Sequence, residues 1–211
     1  MIELLNMDCM DYMREQLDKS FDLAIVDPPY GIGADKQKPS ISPSKNGNRR
    51  RIEWDGHWDD KTPEDTYFIE LERISKNRII WGGNYFNMKP SRCWLIWDKV
   101  QEFSGADFEM AWTSFNSSAK AFRYPRCMMH HYPDGENRIH PTQKPVKLYE
   151  WLLTNYAEPG QRILDTHLGS GSSAIAAHYF GVDFVGIEID EDYYNAAVER
   201  FNNETAQEAL F

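Results

Sequence analysis

"RILDTHLGSGSSAIAAHYFGVDFVGIEID", residues 162 to 190, decides the fold. An apolar run ends in Asp165, a turn follows on Gly169 and Gly171, an Ala-rich stretch of helical length comes next, and a second apolar run ends in Glu188. Strand, glycine turn, helix and strand in that order make a βαβ unit, and a chain of such units builds a mostly parallel sheet covered on both faces. Glycines at the turn let backbone approach a ligand closely. Glu188 stands about where an acid meets ribose hydroxyls in nucleotide-binding units, so an adenosine-bearing ligand is expected. With Ala174 the pattern also reads G-x-G-x-x-A, which keeps a dinucleotide-binding oxidoreductase as an alternative. Asp165 favours another ligand, because a carboxylate ahead of the glycines repels a pyrophosphate and suits an ammonium group. S-adenosylmethionine carries one and the nicotinamide dinucleotides do not.

Outward from this unit, strands are read at "IELLNMD" (2–8), "FDLAIVD" (21–27), "RIIWGG" (78–83), "CWLIWDK" (93–99) and "FEMAWTSF" (108–115). Thr62 is expected to cap a helix with Pro63 in its first position and Tyr67, Phe68, Leu71 and Ile74 on its apolar face. Thr142 is expected to cap another, with Pro145 in its first turn and Leu148, Leu152 and Tyr156 along one side. Tyr194, Ala197, Val198 and Phe201, at i, i+3, i+4 and i+7, mark a last helix. Trp81 reads as core, and Asp98 with Lys99 as a charge pair at a strand end. With 211 residues, 41% of them hydrophobic, the chain suffices for one well-cored domain over 1–211.

A net charge of −10 would disfavour a nucleic-acid partner if it were spread evenly. It is not. Residues 36–51 hold six Lys or Arg and no acid, and residues 116–147 hold six more against two acids. Such runs are either solvated loops or the footprint of a polyanion. Cys9, Cys93 and Cys127 are odd in number and widely spaced, which indicates neither a disulfide framework nor a metal site. Nothing resembles a membrane span, and the first residues lack the basic start and apolar stretch of a secretory signal, so a cytoplasmic location is expected.

"DPPY" at 27–30, "HPTQKP" at 140–145 and "LDTHLGSGSS" at 164–173, in this order, resemble the beta group of amino-directed DNA methyltransferases, chiefly the adenine-specific enzymes. The resemblance runs from Asp8 to about Glu199. It implies an α/β fold, the seven-stranded methyltransferase variant of the doubly wound, Rossmann-like sheet, with the first strand returning beside the one that ends at Glu188. It implies S-adenosylmethionine as cofactor, with Asp8 and Cys9 at its adenine, Asp165, Gly169 and Gly171 in the methionine-binding turn, and His167, Leu168, Ser170 and Ser172 among its contacts. Glu188 and Ile189 would lie at its ribose, and His140, Thr142, Lys144 and Pro145 in the segment that closes over it. The family usually has Pro-Phe where this chain has Thr166 and His167, a departure that bears on cofactor affinity. His167 is read as a packing or hydrogen-bonding group before a base.

The four residues from 27 to 30 then acquire tasks. An adenine amine is a poor nucleophile, because its lone pair is delocalised into the ring, so acceptors must hold its hydrogens while the lone pair turns to the methyl carbon. Asp27 can accept one, and Pro28, kept extended together with Asp27 by the prolines that follow, leaves its carbonyl free for the other. Pro29 stiffens the turn, and Tyr30 offers a face for a base flipped out of double-stranded DNA. The loop at about 31–61 and a small target recognition region at about 115–139 would meet that DNA, with Lys45, Arg49, Arg50, Arg51, Lys120, Arg123 and Arg126 as the contacts. The recognition region is short for its task, which makes a second copy of the chain a candidate partner. No metal is required. Cytosine-N4 methylation and an inactive DNA-binding module are the alternatives.

Overall fold

The computed structural model describes residues 1–34, 58–100, 106–125 and 139–206. Lys45, Arg49, Arg50, Arg51, Arg126 and Cys127 lie outside the described residues, as do most of the 31–61 loop and of the 115–139 region.

Among the described residues, eight strands form one sheet: β1 (Ile2–Asn6), β2 (Phe21–Val26), β3 (Ser75–Trp81), β4 (Trp94–Asp98), β5 (Phe108–Thr113), β6 (Lys120–Arg123), β7 (Arg162–Asp165) and β8 (Asp183–Glu188). Their order is β1-β8-β7-β2-β3-β5-β4-β6, and β5 alone runs against its neighbours. β2 is apolar along nearly its whole length because helices cover both faces of the sheet, as expected of a central parallel strand. Its alternation divides the core: Leu23 and Ile25 pack on one side and Ala24 and Val26 on the other. The helices α1 (Cys9–Glu15) and α2 (Asp65–Ile74) cover the Ala24 side through Met13, Leu71 and Ile74. On the Leu23 side lie α3 (Val146–Tyr156), α4 (Ser172–Phe180) and α5 (Glu191–Thr205), through Leu148, Ile175 and Ala197.

This winding makes the site. β2 and β7 are neighbours, yet α2 leaves β2 over one face while α4 leaves β7 over the other. Right-handed crossovers in opposite directions open a crevice at the carboxyl ends of the two strands, where ligands of doubly wound sheets bind. Asp165 ends β7, and Asp27 follows directly on β2. β1 does return beside β8, pairing Asn6 with Glu188.

Several expectations are corrected. The sheet has eight strands where seven were implied: β6, a short run with mostly exposed side chains inside the 115–139 region, adds an edge through β4 without any alternating pattern to reveal it. α1 was not anticipated. Thr62 and Pro63 precede α2, whose N-cap is Glu64, because residues 61 and 62 are packed against Gly31. Thr142 does not cap α3 but bonds its hydroxyl to Nδ1 of His140 at 3.1 Å, and Pro145 stands at the N-cap with extended backbone. Asp98 and Lys99 do not pair. Successive strand residues point to opposite faces, so Asp98 takes Arg123 at 2.9 Å while Lys99 takes Glu109 at 2.8 Å.

Trp81 is buried, as read. No helix among the described residues is long and apolar enough to cross a membrane. Leu71 is fully buried between α2 and the sheet. Leu71→Ala is expected to lower the unfolding free energy by about 2–5 kcal/mol with an unchanged urea m-value, measured by equilibrium urea unfolding.

Candidate active site

The carboxyl ends of the parallel strands bring together Asp8, Asp27, Trp81, Lys99, Asp165 and Glu188. Since β5 runs the other way, its beginning lies at the same edge and adds Glu109. A cavity of about 600 Å³ opens there, lined among others by Asp27, Pro28, Tyr30, Tyr85, Glu109 and Lys144.

Asp27 is mostly buried and makes two strong contacts: Oδ1 accepts from the Tyr30 hydroxyl, and Oδ2 meets the Lys144 ammonium. That ammonium also lies 3.0 Å from Oε2 of Glu109 and 3.3 Å from the Tyr30 hydroxyl, above the Trp81 ring. Lys144, read with His140, Thr142 and Pro145 as part of the segment closing over the cofactor, thus reaches into the Asp27 cavity. The Tyr30 ring is fixed from two directions. Tyr85 stacks on it with centroids 5.0 Å apart, and Gly82 packs so close that a Cβ there would fall 2.2 Å from a ring carbon. Asp59, buried, closes the loop that begins after Tyr30: its carboxylate accepts from the backbone N–H of Gly31 at 2.8 Å and of Ala34 at 2.7 Å.

On the next strand, Asp165 accepts from the Ser173 hydroxyl at 2.6 Å and the His167 N–H at 3.0 Å. No basic side chain among the described residues pairs with it. Gly169 and Gly171 both take positive φ, and Gly169 lies beneath the His140 ring. A Cβ on Gly171 would meet Ala197 of α5, so the absence of a side chain here lets α5 pack against the turn. Ser170 and Ser172 are buried, their hydroxyls 3.1 Å apart, with Arg200 2.9 Å from that of Ser172. Leu168 is buried, and its N–H donates to Ile187. Glu188 accepts from the N–H groups of Gly169 and Asp190, and Ile189 is exposed. Asp8 caps α1 by accepting from the Met10 N–H. Thr166 bonds both the Tyr67 hydroxyl at 2.7 Å and Nδ1 of His167 at 2.9 Å. Lys120 and Arg123 sit on β6, held by Asn155 and Asp98.

Residues 80–199, more than half of the chain, match the DNA methylase family of the N6 and N4 type. The chain belongs to this family. The type II methyltransferase M.HpaI of Haemophilus parainfluenzae is 24% identical over 232 aligned residues, covering 89% of this methylase and 70% of that one. In fold, the methylase is similar to M1.HpyAVI in its S-adenosylmethionine complex, at a TM-score of 0.56 and 19% identity over 95% of this chain and all of that one. It is also similar to the cytosine-N4-specific PvuII DNA methyltransferase, at a TM-score of 0.58 and 12% identity over 98% and 92% of the two chains.

The electrostatics of the methylase separate its acids. Burial pushes the Asp165 carboxyl up to about 7, with Asp27 and Glu188 adding to the rise and its two hydrogen bonds opposing it. Burial also raises Glu188, and pushes the Cys9 thiol up to about 12, so that thiol is inert. Burial lowers His167 to about 4, which keeps the imidazole neutral and suits a hydrogen-bonding group. Among the described residues, no group of three or more His, Cys, Asp or Glu could hold a metal ion.

Glu109, Tyr85 and Asp59 escaped the sequence reading, which placed Tyr67 on an apolar helix face and not at the site. Each acts across strands or loops far apart in the chain, and no local pattern marks such a residue. Asp165 supplies a measurable consequence. Its folded pKa of about 7 exceeds the value of about 4 in an unfolded chain, so the stability of the ligand-free protein that it contributes is present below pH ~4 and lost as pH rises through ~7. Relative to Asp165→Asn, the urea midpoint of the wild type is expected to fall across that window. Parallel pH curves would refute the shift.

Proposed function

We propose that this methylase transfers a methyl group from S-adenosylmethionine to the N6 amine of an adenine flipped out of double-stranded DNA. The observation that carries this reading is the juxtaposition of Asp27 and Asp165 at the carboxyl ends of neighbouring strands. One acid faces a cavity roomy enough for a base, and the other is a buried carboxyl without a cationic partner among the described residues, which an ammonium would hold ionised. The glycine turn, Glu188 and Ile189 would take the methionine and ribose ends, Asp8 and Cys9 the adenine, and His140 with Thr142 the open side. His167, neutral, stands where the cofactor would otherwise meet an aromatic ring.

When bound, S-adenosylmethionine supplies the methyl group as a sulfonium, and the carbon–sulfur electron pair returns to sulfur as the amine nitrogen takes the carbon. Asp27 accepts one amine hydrogen and the Pro28 carbonyl the other, which aligns the lone pair for direct displacement. The proton that the methylated amine must shed passes to Asp27. The base stacks against the Tyr30–Tyr85 pair, an interaction worth about 1–3 kcal/mol that offsets part of the cost of flipping. Duplex phosphates are met by Lys45, Arg49, Arg50, Arg51, Lys120, Arg123 and Arg126. A second copy of the chain extends the short recognition region.

Labelled S-adenosylmethionine with duplex DNA, followed by digestion to nucleosides, tests the reading. Label in 6-methyladenine is expected; label in N4-methylcytosine overturns the base assignment, and cofactor binding without transfer overturns the activity. Asp27→Ala is expected to lower single-turnover transfer by about 10²-fold or more while calorimetry finds cofactor affinity nearly unchanged. Replacing Arg49, Arg50 and Arg51 together by Ala is expected to make the salt dependence of log DNA affinity shallower by about 2 to 3 units. Parallel lines in a salt series would remove these three from the footprint.

A further inference from the structure

The cavity holds a row of charges that the transfer as described does not use. Lys99, on the segment following β4, lies 2.8 Å from Oε1 of Glu109 on β5; Oε2 of Glu109 lies 3.0 Å from the Lys144 ammonium; and Lys144 ends the row on Asp27. The side chains of Lys99 and Lys144 are 9% and 3% exposed, so neither ammonium is solvated. Each also lies over an indole ring, Lys99 over Trp97 and Lys144 over Trp81. Two cations and two anions alternate and sum to zero, so that each charge faces one of opposite sign.

This row sets a problem for Asp27. A buried carboxylate stays ionised only beside a cation, and Lys144 supplies it. The same ammonium stands on Oδ2 while the Tyr30 hydroxyl stands on Oδ1, so both oxygens already serve a strong donor when the target amine arrives. Each oxygen keeps a second acceptor site, but an ammonium pressed against Oδ2 competes with the amine for it, and a shift of Lys144 within the cavity relieves that competition. Glu109 is placed to receive the ammonium, already within 3.0 Å and fixed from behind by Lys99.

We propose that Glu109, held by Lys99, is a positioning residue of the transfer site: it takes over the Lys144 ammonium when Asp27 turns to the target amine, so that Asp27 remains ionised and free to accept. This rests on the reading of Asp27 as the amine's acceptor. The two carboxyls differ in the required sense. Burial raises Asp27 against the pull of Lys144, with Glu109 adding to the rise, whereas Lys144 and Lys99 overcome burial and hold Glu109 down to about 2. Lys144 itself stays charged, because Asp27 and Glu109 outweigh its burial. Glu109 thus keeps the ammonium in place whatever Asp27 does. Among the described residues, the other ionisable groups that sense Asp27 are Tyr30, Tyr67, Tyr149 and Asp165. Of these only Asp165 titrates near neutrality, and it makes its own bonds to Ser173 and His167.

Two variants move Asp27 in opposite directions. Lys144→Met leaves it buried without a cation. Lys99→Met combined with Glu109→Gln removes one charge of each sign, so the row stays neutral and the fold is kept, but it leaves Lys144 wholly on Asp27. In the ligand-free protein, carbon-13 NMR of the Asp27 carboxyl, assigned with Asp27→Asn, is expected to show its titration midpoint above wild type in Lys144→Met and below it in the double variant. In single-turnover transfer with duplex DNA, the acid limb of the pH–rate profile is expected to move the same two ways. The plateau rate of the double variant should fall by about ten- to a hundredfold, the scale of one charge-assisted hydrogen bond, with S-adenosylmethionine affinity unchanged. Midpoints that stay at the wild-type value or move in one direction overturn the proposal, as does a double variant with the wild-type plateau. A wild type that methylates no nucleoside overturns the transfer reading instead, while the NMR titration still decides whether Glu109 governs the Lys144–Asp27 contact.

Discussion

The Lys144 ammonium, enclosed between the carboxylates of Asp27 and Glu109, is the contact on which the arrangement of the site depends. It joins three parts of the chain: the end of β2, the start of the one antiparallel strand, and the segment leading into α3. An ammonium buried this deeply requires anions on more than one side. The need to surround it fixes where residues 140–145 lie and draws α3 down onto the sheet, where Leu148 and Leu152 are fully buried. Tyr30 is held in the same grip through its hydroxyl, and its ring is then set by Gly82 and Tyr85. The chemistry proposed for Asp27 and the packing of the segment that delivers Lys144 thus have one cause.

The second constraint is the direction in which the chain winds away from β2 and β7. Because α2 and α4 cover opposite faces, no crossover closes the space between the two strand ends. Asp27 and Glu188 consequently add to the rise that burial imposes on the Asp165 carboxyl, a repulsion that no cation among the described residues offsets at Asp165. A cationic ligand relieves it. Asp165, just ahead of the glycine turn, is the group that sets this crevice apart from a pyrophosphate site, because its carboxylate would repel the phosphates.

Much of the fold and part of the site were legible in order along the chain. The apolar run of β2, the strand–glycine turn–helix–strand course of residues 162–190 and the periodicity of α5 are local patterns, because side-chain alternation and helical spacing are imposed by the backbone itself. The identities of Asp27, Asp165 and Glu188 as strand-terminal acids follow from the same patterns, and so does the burial of Trp81.

What only the tertiary structure decided is which of these groups meet. Lys144 sits two residues from Thr142 in a motif that reads as one block, yet Thr142 stays with His140 while Lys144 reaches Asp27, 117 positions away in sequence. Glu109 carries no local signal at all, since an acid at the start of a strand is ordinary until an antiparallel register brings it against two lysines. Asp98 and Lys99, neighbours in sequence, were parted by the alternation of the strand they end. Local patterns determine the elements and the acids at their ends. The pairing of charges across the sheet depends on strand order and register, which the sum of many long-range contacts determines and no short stretch of sequence encodes.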